Sequence, residues 1–126
     1  YYFSKTFDGS FDEAIARVTA ELKDEGFGIL TEIDVKETLK KKLDVDFYKY
    51  TILGACNPTY AYRALQAEDK IGLMLPCNVI VQERENGVVV VSAVDPVASM
   101  QAIRNHELGE TAAAVREKLK AVIDSL

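Results

Sequence analysis

Two short segments of this sequence bring together residue types that chemistry uses: Cys56-Asn57-Pro58 and Pro76-Cys77-Asn78. Asn57-Pro58 is a strong helix start, because Asn caps and Pro takes the first helical position, where its missing amide is no loss. A cysteine at a strand end directly before such a start meets unpaired amides and the positive end of a helix dipole. Both favour a thiolate and can hold an anion. Pro76 forces Leu75 into an extended conformation, so Cys77 reads as the beginning of another strand. If the two strands are antiparallel neighbours, one end lies beside one start, and Cys56, Asn57, Cys77 and Asn78 form one site of two thiols and two amides. The competing reading makes both cysteines small buried hydrophobes and both asparagines turn formers.

Little else in the chain carries chemistry. No GxGxxG, Walker loop, GxSxG, HExxH or CxxC occurs, and a single histidine removes every multi-histidine metal site. No cofactor and no metal is expected. His106, beside Glu107, reads as a surface residue or a local hydrogen-bond partner. Tyr48 and Tyr50 share a strand face with Ile52 and Cys56, and Tyr60 and Tyr62 follow on the next helix, so the four could wall a pocket or serve as ordinary core and rim.

The elements that position these residues follow from periodicity. Tyr1 to Phe7 alternates as a strand. Ser10-Phe11-Asp12-Glu13 is a capping box, and Phe11, Ala14, Ile15, Val18 and Leu22 form the stripe of the helix it opens. Gly26 ends that helix. Phe27 to Ile33 reads as a strand with Phe27, Ile29 and Ile33 on one face. Asp34 opens a shorter helix whose lysines, Lys36, Lys40, Lys41 and Lys42, read as a solvated face. Phe47 to Ala55 is the third strand, and Ala61, Ala64 and Leu65 are the buried side of the third helix. Asn86-Gly87 predicts a two-residue hairpin turn that pairs Arg84 with Val89, Gln82 with Val91 and Ile80 with Ala93. The arm Val88 to Val91 is apolar on both faces and so expects cover on both, from helices or from another subunit. Asp95-Pro96 caps a short turn. Leu108, Ala112, Val115, Leu119, Val122 and Leu126 form the narrow seam of a last helix.

Composition bounds the rest. At 126 residues with 48% hydrophobic and 28% charged side chains, this is one domain, residues 1–126, with a single core. A compact fold of this mass leaves about 6,700 Å² of surface exposed. Fifteen basic against twenty acidic residues give a net charge of −5, which argues against a nucleic-acid partner. No apolar run has the ~20 residues that cross a bilayer, so no membrane partner is expected. The absence of a signal pattern makes a cytoplasmic protein the default, and Cys56 and Cys77 read as free thiols.

Gly54-Ala55-Cys56-Asn57-Pro58 with Ala61, Ala64 and Leu65, then Gly72, Leu75-Pro76-Cys77-Asn78-Val79, Val81, Gly87, Val90 and Asp95-Pro96, resembles the prokaryotic domain of unknown function 302 family. Gly26-Phe27, Ile33 and Leu39 extend the match over almost the whole chain. The resemblance implies an α+β fold with a mainly antiparallel five-stranded sheet, a β-α-β4-α core of TATA-binding-protein-like topology, extra helices and a homodimer. It implies no established activity. Three readings of function follow. One is a homodimeric small-ligand-binding or accessory domain with its site at Cys56, Asn57, Pro58, Cys77 and Asn78, the ligand being small and either anionic or neutral. The second is a thiol redox protein using Cys56 and Cys77. The third is a structural or partner-binding module with buried cysteines.

Overall fold

At Ser10 the apolar period changes from two to 3.6, and the backbone changes with it. The computed structural model describes residues 1–126. Strand β1 (Tyr2–Phe7) leads to helix α1 (Phe11–Asp24), where the Glu13 amide donates to Ser10 Oγ at 3.1 Å and the Ser10 amide donates to Glu13 Oε1 at 3.3 Å. Two otherwise unpaired donors are satisfied reciprocally. Then come β2 (Gly28–Asp34), α2 (Val35–Leu43), β3 (Tyr50–Cys56) and α3 (Pro58–Ala67), a 3-10 turn (Ile71–Met74), β4 (Cys77–Glu83), β5 (Val89–Val94), α4 (Pro96–Ser99) and α5 (Glu107–Asp124).

The five strands form one antiparallel sheet in the order β1-β5-β4-β3-β2. The class is α+β, as the sequence indicates. Helices α1 and α5 pack on one face, where Ala14, Val18 and Leu22 meet Val79, Val81, Val91 and Leu119 with essentially no solvent exposure. Leu108, Ala112, Val115, Leu119 and Val122 are all buried within the chain, so the apolar seam of the last helix is used internally. It leaves no seam for a partner. Asp95 caps α4 by accepting from the amides of Val97 and Ala98, and its second oxygen accepts from Arg116 Nε at 3.1 Å, tying α5 to the end of β5.

Register departs from the sequence-based expectation at two places. The β4–β5 pairing is Glu83↔Val89, Gln82↔Val90, Val81↔Val91, Ile80↔Ser92 and Val79↔Ala93, one residue away from that of a two-residue turn. Asn86 and Gly87 both take positive φ, 70° and 75°, while the Gly87 amide donates to the Arg84 carbonyl and the Arg84 amide to the Val88 carbonyl. The loop therefore holds three residues, Glu85 to Gly87. Such a slip exchanges the faces of a whole arm. In β2 a bulge between Ile29 and Thr31 moves Ile33 opposite Ile52, so it does not share a face with Ile29. The extra residue at Leu30 breaks the alternation.

The second face of the sheet has no helix layer on it. It presents Tyr2, Ser4 and Thr6 from β1, Val90, Ser92 and Val94 from β5, Asn78, Ile80 and Gln82 from β4, Tyr50, Ile52 and Gly54 from β3, and Thr31 and Ile33 from β2. Helix α2 lies by β2 and β3 and buries no residue of its own.

Candidate functional site

Pairing of β3 with β4 sets Ala55 opposite Cys77 and Gly54 opposite Asn78, so the strand end and the strand start do lie side by side. Cys56 and Cys77 are nevertheless offset by one residue. Because side chains alternate along a strand, Cys77 shares its face with Ala55, whereas Cys56 falls on the face of Gly54 and Ile52. Cys77 accordingly belongs to the main core and Cys56 does not. Both border a narrow apolar cleft of about 30 Å³ between these strand ends and helices α3 and α5, together with Phe27, Asn57, Pro76, Met100 and Leu108. That is room for about one water.

No lysine, arginine, histidine or carboxylate lines this cleft, so nothing in it offsets the cost of a buried thiolate. Burial pushes the Cys56 thiol up, the opposite of the expected effect of the helix start. Burial, with a smaller contribution from the charge of Cys56, pushes Cys77 up to about 11. Both sulfurs are therefore thiols near neutral pH.

The motif asparagines part company. Asn57 occupies the position before α3 but makes no capping bond; its Nδ2 donates to the Glu25 carbonyl at 3.4 Å. The side chain fastens α3 to the end of α1. Gly26 serves this contact, since its φ is 87° and a Cβ there would stand 3.1 Å from Asn57 Nδ2. Pro58 takes the first helical position as expected and borders an outer groove with Thr59, Arg63 and Lys118. Asn78 lies on the open face of the sheet, exposed and away from the cleft. His106 stands at the start of α5 without a capping bond, and no group of three or more His, Cys, Asp or Glu side chains is arranged to hold a metal ion. No helix is long and apolar enough to cross a membrane.

The larger concavity is on the open face of the sheet, about 600 Å³, lined by Tyr1, Tyr2, Ser4, Tyr50, Asn78, Ile80, Gln82, Arg84, Val90 and Ser92. Sequence reasoning had one signal for it, the arm Val88 to Val91 that is apolar on both sides. Its polar groups are organised. Ser4 and Ser92 hydroxyls are 2.8 Å apart, and Gln82 Nε2 and Arg84 Nη1 both donate to the Tyr48 hydroxyl, at 3.2 and 3.3 Å. The Arg84 guanidinium lies 5.2 Å from the Tyr48 ring centre, and that ring stacks on Phe47 at 4.2 Å. Burial, with Tyr48 and Tyr1 nearby, pushes the Tyr50 hydroxyl up, so it stays neutral. Tyr48 and Tyr50 thus stand apart from Tyr60, which packs against the core on the helix side, and from Tyr62, which is exposed.

The motif pair at the β3 and β4 ends and the sheet around it have relatives. A family model described as domain of unknown function DUF302 matches residues 3–126. The chain belongs to the DUF302 family. An uncharacterised conserved DUF302 protein from Bacillus stearothermophilus has a crystal structure that superposes with a TM-score of 0.90 at 32% sequence identity, covering 98% of this chain and 96% of that one. No curated protein matches the sequence. The buried Cys77 and the exposed Asn78, adjacent in the chain, face opposite sides of one strand.

Proposed function

We propose that this DUF302 domain is a homodimeric, small-ligand-binding accessory module whose working surface is the open face of its sheet. The observation that carries the reading is charge. In a chain with 28% charged residues, none of the strand residues on that face is charged, although it is uncovered. Depletion of charge with retained tyrosine and aliphatic side chains is the composition of a buried interface centre. Two chains of net charge −5 repel each other, and an acid-free face is where they can meet.

Area agrees with this. The isolated chain exposes 7713 Å², about 1,000 Å² above the ~6,700 Å² of a compact monomer of its mass, and a stable interface buries about 800 Å² per partner. The concavity on that face, about 600 Å³, is of the size that small ligands occupy, about 300–1,000 Å³. The cleft beside Cys56 and Cys77 is too small for a metabolite, and its raised thiols do not favour nucleophilic or redox work.

Sedimentation equilibrium of the native chain tests the reading. A dimer is expected, and Ile80→Asp, which sets a charge at the centre of the face, should give a folded monomer. A wild-type chain that stays monomeric at high concentration, or an Ile80→Asp variant that dimerises as well as wild type, refutes it.

A further inference from the structure

We propose that the sheet concavity takes a flat aromatic carboxylate, its anionic end paired with Arg84 and its ring lying on Ile80, Val90 and Tyr50. The inference names the ligand class for the surface proposed above and rests on that reading for its enclosure. Three observations carry it. First, Arg84 is the one charged side chain lining the concavity, and it is a cation in an acidic chain. A site without carboxylates admits an anion that the rest of the surface repels.

Second, Arg84 has no carboxylate within ion-pair distance, unlike Arg17 and Arg116, which are paired at 3.1 Å with Glu21 and Asp95. Its guanidinium is instead held by the Tyr48 hydroxyl and ring, contacts that leave its charge unneutralised. With four of five N–H donors uncommitted, it can still bind a carboxylate through two parallel hydrogen bonds. Restraint before binding lowers the entropy lost on binding.

Third, the floor beyond Arg84 is uncharged, with Gln82 first and the apolar Ile80, Val90 and Tyr50 around it. Val90 and Gln82 are cross-strand partners, Ile80 is two residues along the same strand, and Tyr50 pairs with Gln82. From Arg84 to Ile80 along β4 is four residues, about 13 Å, long enough for a carboxylate and a fused ring. The Tyr50 ring sits tilted against Phe47 and Tyr48, at 6.3 and 6.0 Å, and a flat ring extends that aromatic cluster, whereas an aliphatic anion does not and a neutral aromatic leaves the guanidinium unpaired.

The probe is 1-naphthoate, titrated into the native chain by calorimetry, with sedimentation run on the same samples and 1-naphthamide as its neutral counterpart. One naphthoate per chain is expected. Arg84→Gln, at an exposed position outside the core, should keep the circular dichroism of wild type and weaken naphthoate at least about tenfold, as should replacing naphthoate by the amide. No binding at millimolar naphthoate, or equal binding by Arg84→Gln, overturns the proposal. The two readings fail separately. A dimer that ignores naphthoate removes the ligand and keeps the homodimer; a monomer that binds naphthoate through Arg84 removes the homodimer and keeps the ligand.

Discussion

At the scale of the residue, Cys77 shows how position decides chemistry. The same thiol at a solvent-exposed helix start would be activated; here it faces the core, and burial raises it to about 11. A raised pKa means that the folded protein holds the proton more tightly than the unfolded chain does. The resulting stability is complete below the unfolded thiol value near ~8.5–9 and is lost as pH rises toward the folded value. Urea midpoints of wild type should therefore fall between about pH 9 and pH 11 more steeply than those of Cys77→Ala, by on the order of 2 kcal/mol over the window. Parallel pH profiles for the two proteins would show that Cys77 is not the group responsible. Native alkylation should give the same picture, with Cys56 labelled first and Cys77 labelled at a comparable rate only after unfolding. Equal native rates for the two would contradict the burial of Cys77.

Among the elements, β3 depends on a glycine for a reason of space. A Cβ at Gly54 would collide with Thr31 Oγ1 on β2 and stand 2.9 Å from Pro76 Cγ beside β4. The Thr31 hydroxyl and the rigid Pro76 ring occupy the room a side chain would need. Gly54→Ala should cost about 1–3 kcal/mol in thermal or urea unfolding, and Thr31→Ala in the same background should recover part of it. A neutral Gly54→Ala would mean that the strands separate without penalty. The helix caps were readable locally: the Ser10–Glu13 box, and Asp34 accepting from the Glu37 amide at 2.9 Å. Asn57 was not, because the partner that takes its side chain is the Glu25 carbonyl, thirty-two residues away in sequence. The hairpin shows the same limit at shorter range. Asn86-Gly87 announces a turn, yet a third loop residue changes which side chains of β5 face the helices.

For the whole molecule, the uneven treatment of the two sheet faces is the main physical fact. One face is buried under α1 and α5, and the other carries apolar and tyrosine side chains with no layer of its own. If two copies cover it, the association rests on burial and not on charge, so the dimer should survive 1 M salt. Salt would then strengthen it by screening the repulsion between two chains of net charge −5. A dimer that dissociates as salt rises would point to ion pairs at the contact and against an interface built on the uncharged strand residues, a difference that light scattering at 0.05 and 1 M NaCl resolves.

The sequence by itself determined the element types, the helix caps, the apolar stripes of α1 and α5, the α+β class and the family. Each of these rests on neighbours within a few residues, where periodicity and side-chain chemistry act directly. The tertiary structure decided what those elements do together. Cys56 and Cys77 border one cleft at neighbouring strand ends but only Cys77 joins the core, and Asn78 looks away from the cysteine beside it. A one-residue difference in register reverses a side chain's direction, and register is set by pairing between segments far apart in the chain. For that reason the motif pair was legible as a place, while the open, acid-free face behind it emerged only once the strands were ordered.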